Sequence, residues 1–261
     1  MGRSGADAPA SMDGSGKQRT DLRHALRLLA RRSANALFGE RGIADAQARL
    51  AWDDAQQLIY EASGPSTRIF PDHWALRREA LSQRPAAGLL MEFGVYKARS
   101  FNFFADELIA AKDLRTLHGF DSFSGFSEQW GGVDSAYPVD HFDQQGGRPE
   151  VRSNCVLIDG FVEDTLPGFL AEHDDPVAFV HIDTDTYSPA RTVLECCRPR
   201  LRAGSIVLFD ELLGYTNWRS HEYRALTETL APEEYSFLGF ATSSPRARLI
   251  KAAIRIEKDL A

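Results

Sequence analysis

Beyond residue 86 the chain alternates short apolar runs with stretches of helical spacing, and almost every run stops at an acid or a glycine. The runs are GLLMEFGV, TLHGFD, CVLIDG, VAFVHIDTD and SIVLFDE, followed by YSFLGF and RARLIKAAI. RSFNFFADELIAAK, EDTLPGFLAEH, SPARTVLECCRPRL and SHEYRALTETL lie between them with helical periodicity. Apolar runs of this length read as strands buried on both faces, and helices between them imply right-handed crossovers. The text therefore predicts an α/β fold: a doubly wound, mostly parallel sheet of seven strands with helices on both faces. Ligands of such sheets bind beyond the carboxyl ends of the strands. Those ends carry Glu92 and Gly94, Asp121, Asp159 and Gly160, Asp183 and Asp185, and Asp210 and Glu211, which places the expected site there.

Residues 1–18, rich in Gly, Ser, Ala and Asp, are expected to form a disordered tail. Residues 19–85 read as an added N-terminal helical segment. DLRHALRLLARRSANALF brings Leu22, Leu26, Leu29 and Leu37 toward one face, with Asp21 as its cap. ADAQARLAWDDAQQLIYEA repeats Leu50, Trp52, Leu58 and Ile59, and SGPSTRIFPDHW interrupts it. PDHWALRREAL starts a third helix with Pro71 near its first turn. The segment is expected to be a lid over the substrate side or an oligomer contact, and Phe70, His73 and Trp74 suit either task.

Hydrophobic residues at 43% and charged residues at 26% fit a folded globular chain. No run approaches the roughly 18 apolar residues of a spanning helix, and the N-terminus lacks an apolar leader, so no membrane partner is expected. A net charge of -7 disfavours a dedicated nucleic-acid binder. Cys155, Cys196 and Cys197 have neither metal-ligand spacing nor a disulfide pattern, which points to a reducing, cytoplasmic setting.

Four constellations carry the chemistry. In MEFGVYKARS, Gly94 permits a tight turn, and the following amides with Ser100 can meet a charged group at a helix N-terminus. The stretch fails both the G-x-G-x-x-G and the G-K-[ST] patterns, and a purely structural turn explains it equally well. In HGFDSF, Asp121 can accept both ribose hydroxyls, or it can cap a turn. HIDTDTY offers Asp183 and Asp185 to three chemistries: the metal of a sugar-nucleotide glycosyltransferase, the nucleophile loop of an aspartyl-phosphate hydrolase, or, through Asp183 alone, a metal completed by the next strand. LFDELLGY supplies that next strand's Asp210 and Glu211. Three converging carboxylates favour a hard divalent cation, Mg²⁺ first and Mn²⁺ second. Helix capping by one of these acids is the duller alternative, and a non-catalytic protein keeping a cofactor fold is another.

In order and spacing, E-F-G-V-Y, GFDSF, DGFVEDTLP, HIDTDTYS and FDE followed by W-x-x-H-E resemble a class I S-adenosylmethionine-dependent methyltransferase, and more closely the macrocin-type O-methyltransferases of macrolide sugars. The likeness runs from Leu89 to Glu222. It implies a Rossmann-like S-adenosylmethionine-binding domain over 86–261 and methyl transfer to a hydroxyl of a small sugar-type or natural-product acceptor. Glu92, Gly94, Tyr96 and Ser100 would hold the methionine part of the cofactor. Asp121 would bind the ribose with Ser122 and Phe123 beside it, and Asp159, Gly160 and Phe161 would border the adenine. Asp183, Asp210 and Glu211 would hold Mg²⁺, although Glu211 is longer than the Asp or Asn usual there. Thr186 stands where catechol O-methyltransferase has a lysine base. The likeness instead implies a base on the active-site loop 123–150, His141 in YPVDHFDQQ, with Asp183 as the other catalytic residue; His181 and His221 are lesser options. Trp130, Tyr137 and Phe142 of that loop would pack on substrate or hold the loop down. A homo-oligomer is also implied. A metal-dependent glycosyltransferase using Asp183-Thr184-Asp185 is the alternative function.

Overall fold

The computed structural model describes residues 39–126, 140–242 and 248–260. The expected tail, the helix at 21–38, and Trp130 and Tyr137 of the loop lie outside the described residues. The chain divides into two compact units, residues 1–47 and 48–261. The described part of the first is the start of α1 (Glu40–Ala62), where Ile43 is exposed.

In the second unit α1 continues to Ala62, and among the described residues thirteen further α-helices and strands succeed it. They are β1 (Arg68–Ile69), α2 (His73–Ser82), β2 (Leu89–Phe93), α3 (Arg99–Ala110), β3 (Leu117–Asp121), β4 (Cys155–Asp159), α4 (Val162–Glu172), β5 (Val177–Ile182), α5 (Tyr187–Cys197), β6 (Leu201–Leu213), α6 (Glu222–Thr229), β7 (Tyr235–Thr242) and β8 (Ile250–Ile256). They build one sheet in the order β1-β7-β8-β6-β5-β2-β3-β4. The strands from β4 to β6 are mutually parallel, β8 runs antiparallel to β6 and β7, and β1 is parallel to β7. The sheet thus has eight strands where the sequence predicts seven. The additional one, β1, has two residues between Pro65 and Pro71, too few to display any period. Helix α2 opens on Asp72, whose Oδ1 accepts the Ala75 N–H at 2.9 Å, so Pro71 precedes the cap instead of entering the first turn.

Side-chain alternation gives the sheet two different faces. Met91, Phe93, Val180, Ile182, Val207 and Phe209 pack with Leu166, Val193 and Leu226 of α4, α5 and α6. On the other face Leu90, Phe179 and Leu208 pack with Leu76 of α2 and with Phe101 and Phe104 of α3. That second face also carries buried charge. Glu92 pairs in register with His181, and Asp210 and Lys251 follow on the adjoining strands, all four buried.

Candidate active site

A cleft of about 440 Å³ opens at the carboxyl ends of β2, β3, β5 and β6, lined among others by Gly94, Asp121, Gly160, Asp183, Asp185 and Glu211. Its floor is the turn after β2. Gly94 has φ +87°, and a Cβ there would lie 1.8 Å from the Asp183 carbonyl oxygen, so only glycine fits. Tyr96 and Ala98 also have positive φ, an uncommon backbone for residues with side chains. Asp121 holds this turn in shape: its Oδ2 accepts the N–H of Val95 at 2.8 Å and of Tyr96 at 2.7 Å, while Oδ1 accepts that of Phe123 at 2.6 Å. Since a carboxylate has about four acceptor positions, room remains for one ligand hydroxyl.

The expected cofactor residues divide between the cleft and its supports. Gly94, Tyr96, Ser100, Asp121, Ser122, Gly160 and Phe161 line the cleft. Glu92, Phe123 and Asp159 do not. Glu92 sits beneath the turn, fully buried, taking the Ser100 hydroxyl at 2.8 Å. Phe123 is buried at a φ of +52°. Asp159 is exposed and ion-paired with Arg148. His141 is exposed as well; its ring meets Phe142 edge-on at 4.7 Å, and Phe142, not His141, lines the cleft.

The acids at the strand ends form two unlike groups. In the first, charge is matched. His181 lies between Glu92, 3.2 Å from Nδ1 and off the line of an aligned hydrogen bond, and Asp210, 3.3 Å from Nε2. Burial works against its charge, but Glu92 and Asp210 raise its pKa to about 9, so the ring is an imidazolium at neutral pH. Asp210 also takes Arg77 and Lys251, and Lys251 Nζ donates to the Asp210 carbonyl at 2.9 Å. Although burial opposes its ionisation, Lys251 and Arg77 hold the Asp210 carboxyl well below its ordinary range.

In the second group charge is unmatched. Burial, and then neighbouring Asp210, push Asp183 up to about 8. Burial and the hydrogen-bonded Glu211 raise Asp185 well above its usual value. Burial raises Glu211 too, and burial with Glu211 nearby raises Glu222 well above a normal glutamate. Glu222 Oε2 accepts the Glu211 N–H at 3.2 Å, whereas Glu211 Oε2 and Glu222 Oε1 are buried without a donor.

These groups decide where a cation fits. Among the described residues, single ligand atoms of His181, Asp183 and Asp210 lie within 4.8 Å of one another. Yet His181 is cationic and the Asp210 oxygens already face three cationic groups. Asp183, Asp210 and Glu211 all line the cleft; Glu211 lies outside that cluster, but neither it nor Asp183 has a cationic ion-pair partner among the described residues and Glu211 has an orphaned buried oxygen, so these two suit a hard divalent ion better.

Arg77, Lys97, Arg99 and Lys251 in the cleft lining, and Glu222 beside it, are among the polar residues to which the sequence reading gives no role. Lys251 had a usable signal: it is the one charge inside the apolar stretch LIKAAI. Arg77 had none, because its role depends on how α2 packs.

The segment that holds most of this machinery, residues 91–212, matches the family described as "Methyltransferase domain". No curated protein matches the chain in sequence. Among solved structures it resembles CalS11, a calicheamicin methyltransferase, at 24% identity over 97% of this chain and 99% of that one, with a TM-score of 0.54. It also resembles the O-methyltransferase NovP, at 18% identity over 71% and 79% of the two chains, with a TM-score of 0.50. The fold is that of the class I methyltransferases.

Proposed function

We propose that this chain is an S-adenosylmethionine-dependent O-methyltransferase acting on a hydroxyl of a small sugar-type or natural-product acceptor. The observation that supports this best is the junction of the Gly94 turn, braced by Asp121, with the Asp183 loop in one cleft. S-adenosylmethionine would supply an electrophilic methyl group on a sulfonium. Gly94, Tyr96, Ser100, Asp121, Ser122, Gly160 and Phe161 would contact it, while Glu92, Phe123 and Asp159 would act from behind the wall. Mg²⁺, when bound, would polarise the acceptor hydroxyl and lower its pKa. Asp183 and Glu211 would be its main ligands, and Asp210 would reach it only by loosening its contacts with Arg77, Lys251 and His181.

The remaining work falls to the chain. Phe126, Phe142 and Phe161 line the cleft and exclude water from the reacting atoms. Asp183, which burial and Asp210 push up to about 8 in the cation-free cleft, is suited to accepting the hydroxyl proton through the carboxylate oxygen that does not hold the cation. His141 is the alternative base, reaching the cleft only if the segment bearing Phe142 moves. A homo-oligomer and a cytoplasmic setting complete the proposal, the latter in keeping with the free cysteines.

Calorimetric titration with S-adenosylmethionine and S-adenosylhomocysteine, with Mg²⁺ and then with EDTA, tests this reading. Micromolar binding that disappears in Asp121→Ala is expected. Silence toward both, with Mg²⁺-dependent binding of a sugar nucleotide, would instead establish the glycosyltransferase alternative.

A further inference from the structure

Besides its acids, the cleft is lined by His73, Trp74 and Arg77 of α2, by Lys97 just before α3 and by Arg99 at its start. Trp74 is the centre of this wall. The Arg77 and Arg99 guanidinium carbons lie 4.8 and 5.0 Å from its ring centroid, and the His73 ring lies at 4.7 Å. Two like charges around one indole call for compensation. Arg77 has it in Asp210, but Arg99 and Lys97 have no carboxylate partner among the described residues and rest on Trp74 and Tyr96 alone. Helix α3 adds partial positive charge, because its N-cap, Ala98, gives its first amides no side-chain acceptor. A further sign is an orphan: Arg77 is 5% exposed, and its buried Nε–H donates to nothing.

Resting on the methyltransferase reading above, we propose that this wall is an acceptor subsite for a phosphate ester. The acceptor is a phosphorylated sugar or polyol, its ring lying on Trp74 and its phosphate on Arg99 and Lys97. The wall abuts the acids through the Arg77–Asp210 pair, which puts its Trp74 side at the reacting end of the cleft, while Lys97, stacked on Tyr96, joins it to the turn that Asp121 braces. A guanidinium matches phosphate and carboxylate alike, so the other possible source of such an oxyanion is the methionine carboxylate of the cofactor.

The test uses the full chain in EDTA, with and without saturating S-adenosylhomocysteine, and inorganic pyrophosphate as the probe against chloride at matched ionic strength. Pyrophosphate binding in excess of chloride is expected, weakened at least about tenfold in Arg99→Ala and partly restored in Arg99→Lys, with S-adenosylhomocysteine affinity held within about twofold. Arg99 is exposed, so its removal leaves the core intact. Pyrophosphate binding no stronger than chloride overturns the proposal. An Arg99→Ala variant that loses S-adenosylhomocysteine but keeps pyrophosphate also overturns it, assigning the wall to the cofactor. Pyrophosphate binding with no S-adenosylhomocysteine binding at all breaks the methyltransferase reading and retains the oxyanion subsite.

Discussion

Two groups of acids stand side by side at the ends of β5 and β6, and only one is neutralised. Asp210 is enclosed by Arg77, Lys251 and protonated His181, in a row that crosses the sheet from Glu92 on β2 to Lys251 on β8. Asp183, Asp185, Glu211 and Glu222 have no such ion pairs among the described residues and keep their protons to unusually high pH. The first group is a structural brace. The second carries a charge deficit that a ligand or a proton must relieve, which is the usual character of a reactive centre. The lesson is that neighbouring carboxylates take different roles according to where α2, β5 and β8 deliver a cation.

The sharpest way to break this contrast is Lys251→Met. It leaves a buried carboxylate short of a partner, and a loss of about 3 kcal/mol is expected in urea unfolding. The double variant Asp210→Asn/Lys251→Met should recover much of it, and additive losses instead would show that the pair does not act as a unit. Glu211→Gln should do the reverse, stabilising the cation-free chain by about 1 kcal/mol while the proposed methyl transfer falls. A destabilised Glu211→Gln would mean that Glu211 belongs with the brace.

The pH dependence of the melting temperature comes next. Asp183 and His181 both have folded pKa values above their unfolded ones, about 8 and about 9, so the native state binds more protons. Stability therefore declines as pH rises, from about 4 through 8 for Asp183 and from about 6.5 through 9 for His181. A lower melting temperature at pH 9 than at pH 6 is expected, with Asp183→Asn flattening the earlier part of the decline. The smallest effect belongs to a remote pair. Arg219 and Asp54 are nearly half exposed, at 49% and 44%, and Asp54→Ala should cost under about 1 kcal/mol and leave ligand binding unchanged.

Much of this architecture is legible from local pattern. The runs around Met91, Phe120, Ile158, Val180 and Val207 read as strands because burial on both faces leaves an apolar signature, and their terminal acids mark the cleft. What escapes reading is non-local. Asp210 and Glu211 look like a matched pair in sequence, yet alternation points one at the α2 face and the other at Asp185. Lys251 meets Asp210 only because β8 returns antiparallel beside β6, a fact of topology that no local window contains. Glu92 reads as a cleft residue by its position after an apolar run, but the register with His181 turns it inward. β1 is simply too short to leave a trace.

Backbone contact between Gly94 and Asp183 bears on how such a domain can be recombined. The Phe93 carbonyl accepts the Asp183 N–H at 2.8 Å, the Gly94 N–H reaches the Phe120 carbonyl at 2.9 Å, and no space separates Gly94 from the Asp183 loop. A chimera joining residues up to Phe126 of one parent to the remainder of another would create this seam from two histories, main chain against main chain, where side-chain repacking has no slack to offer. Exchanging the two halves of the cleft as one unit would spare this seam, and the walls and loops around it are where side chains can change without disturbing main-chain contact.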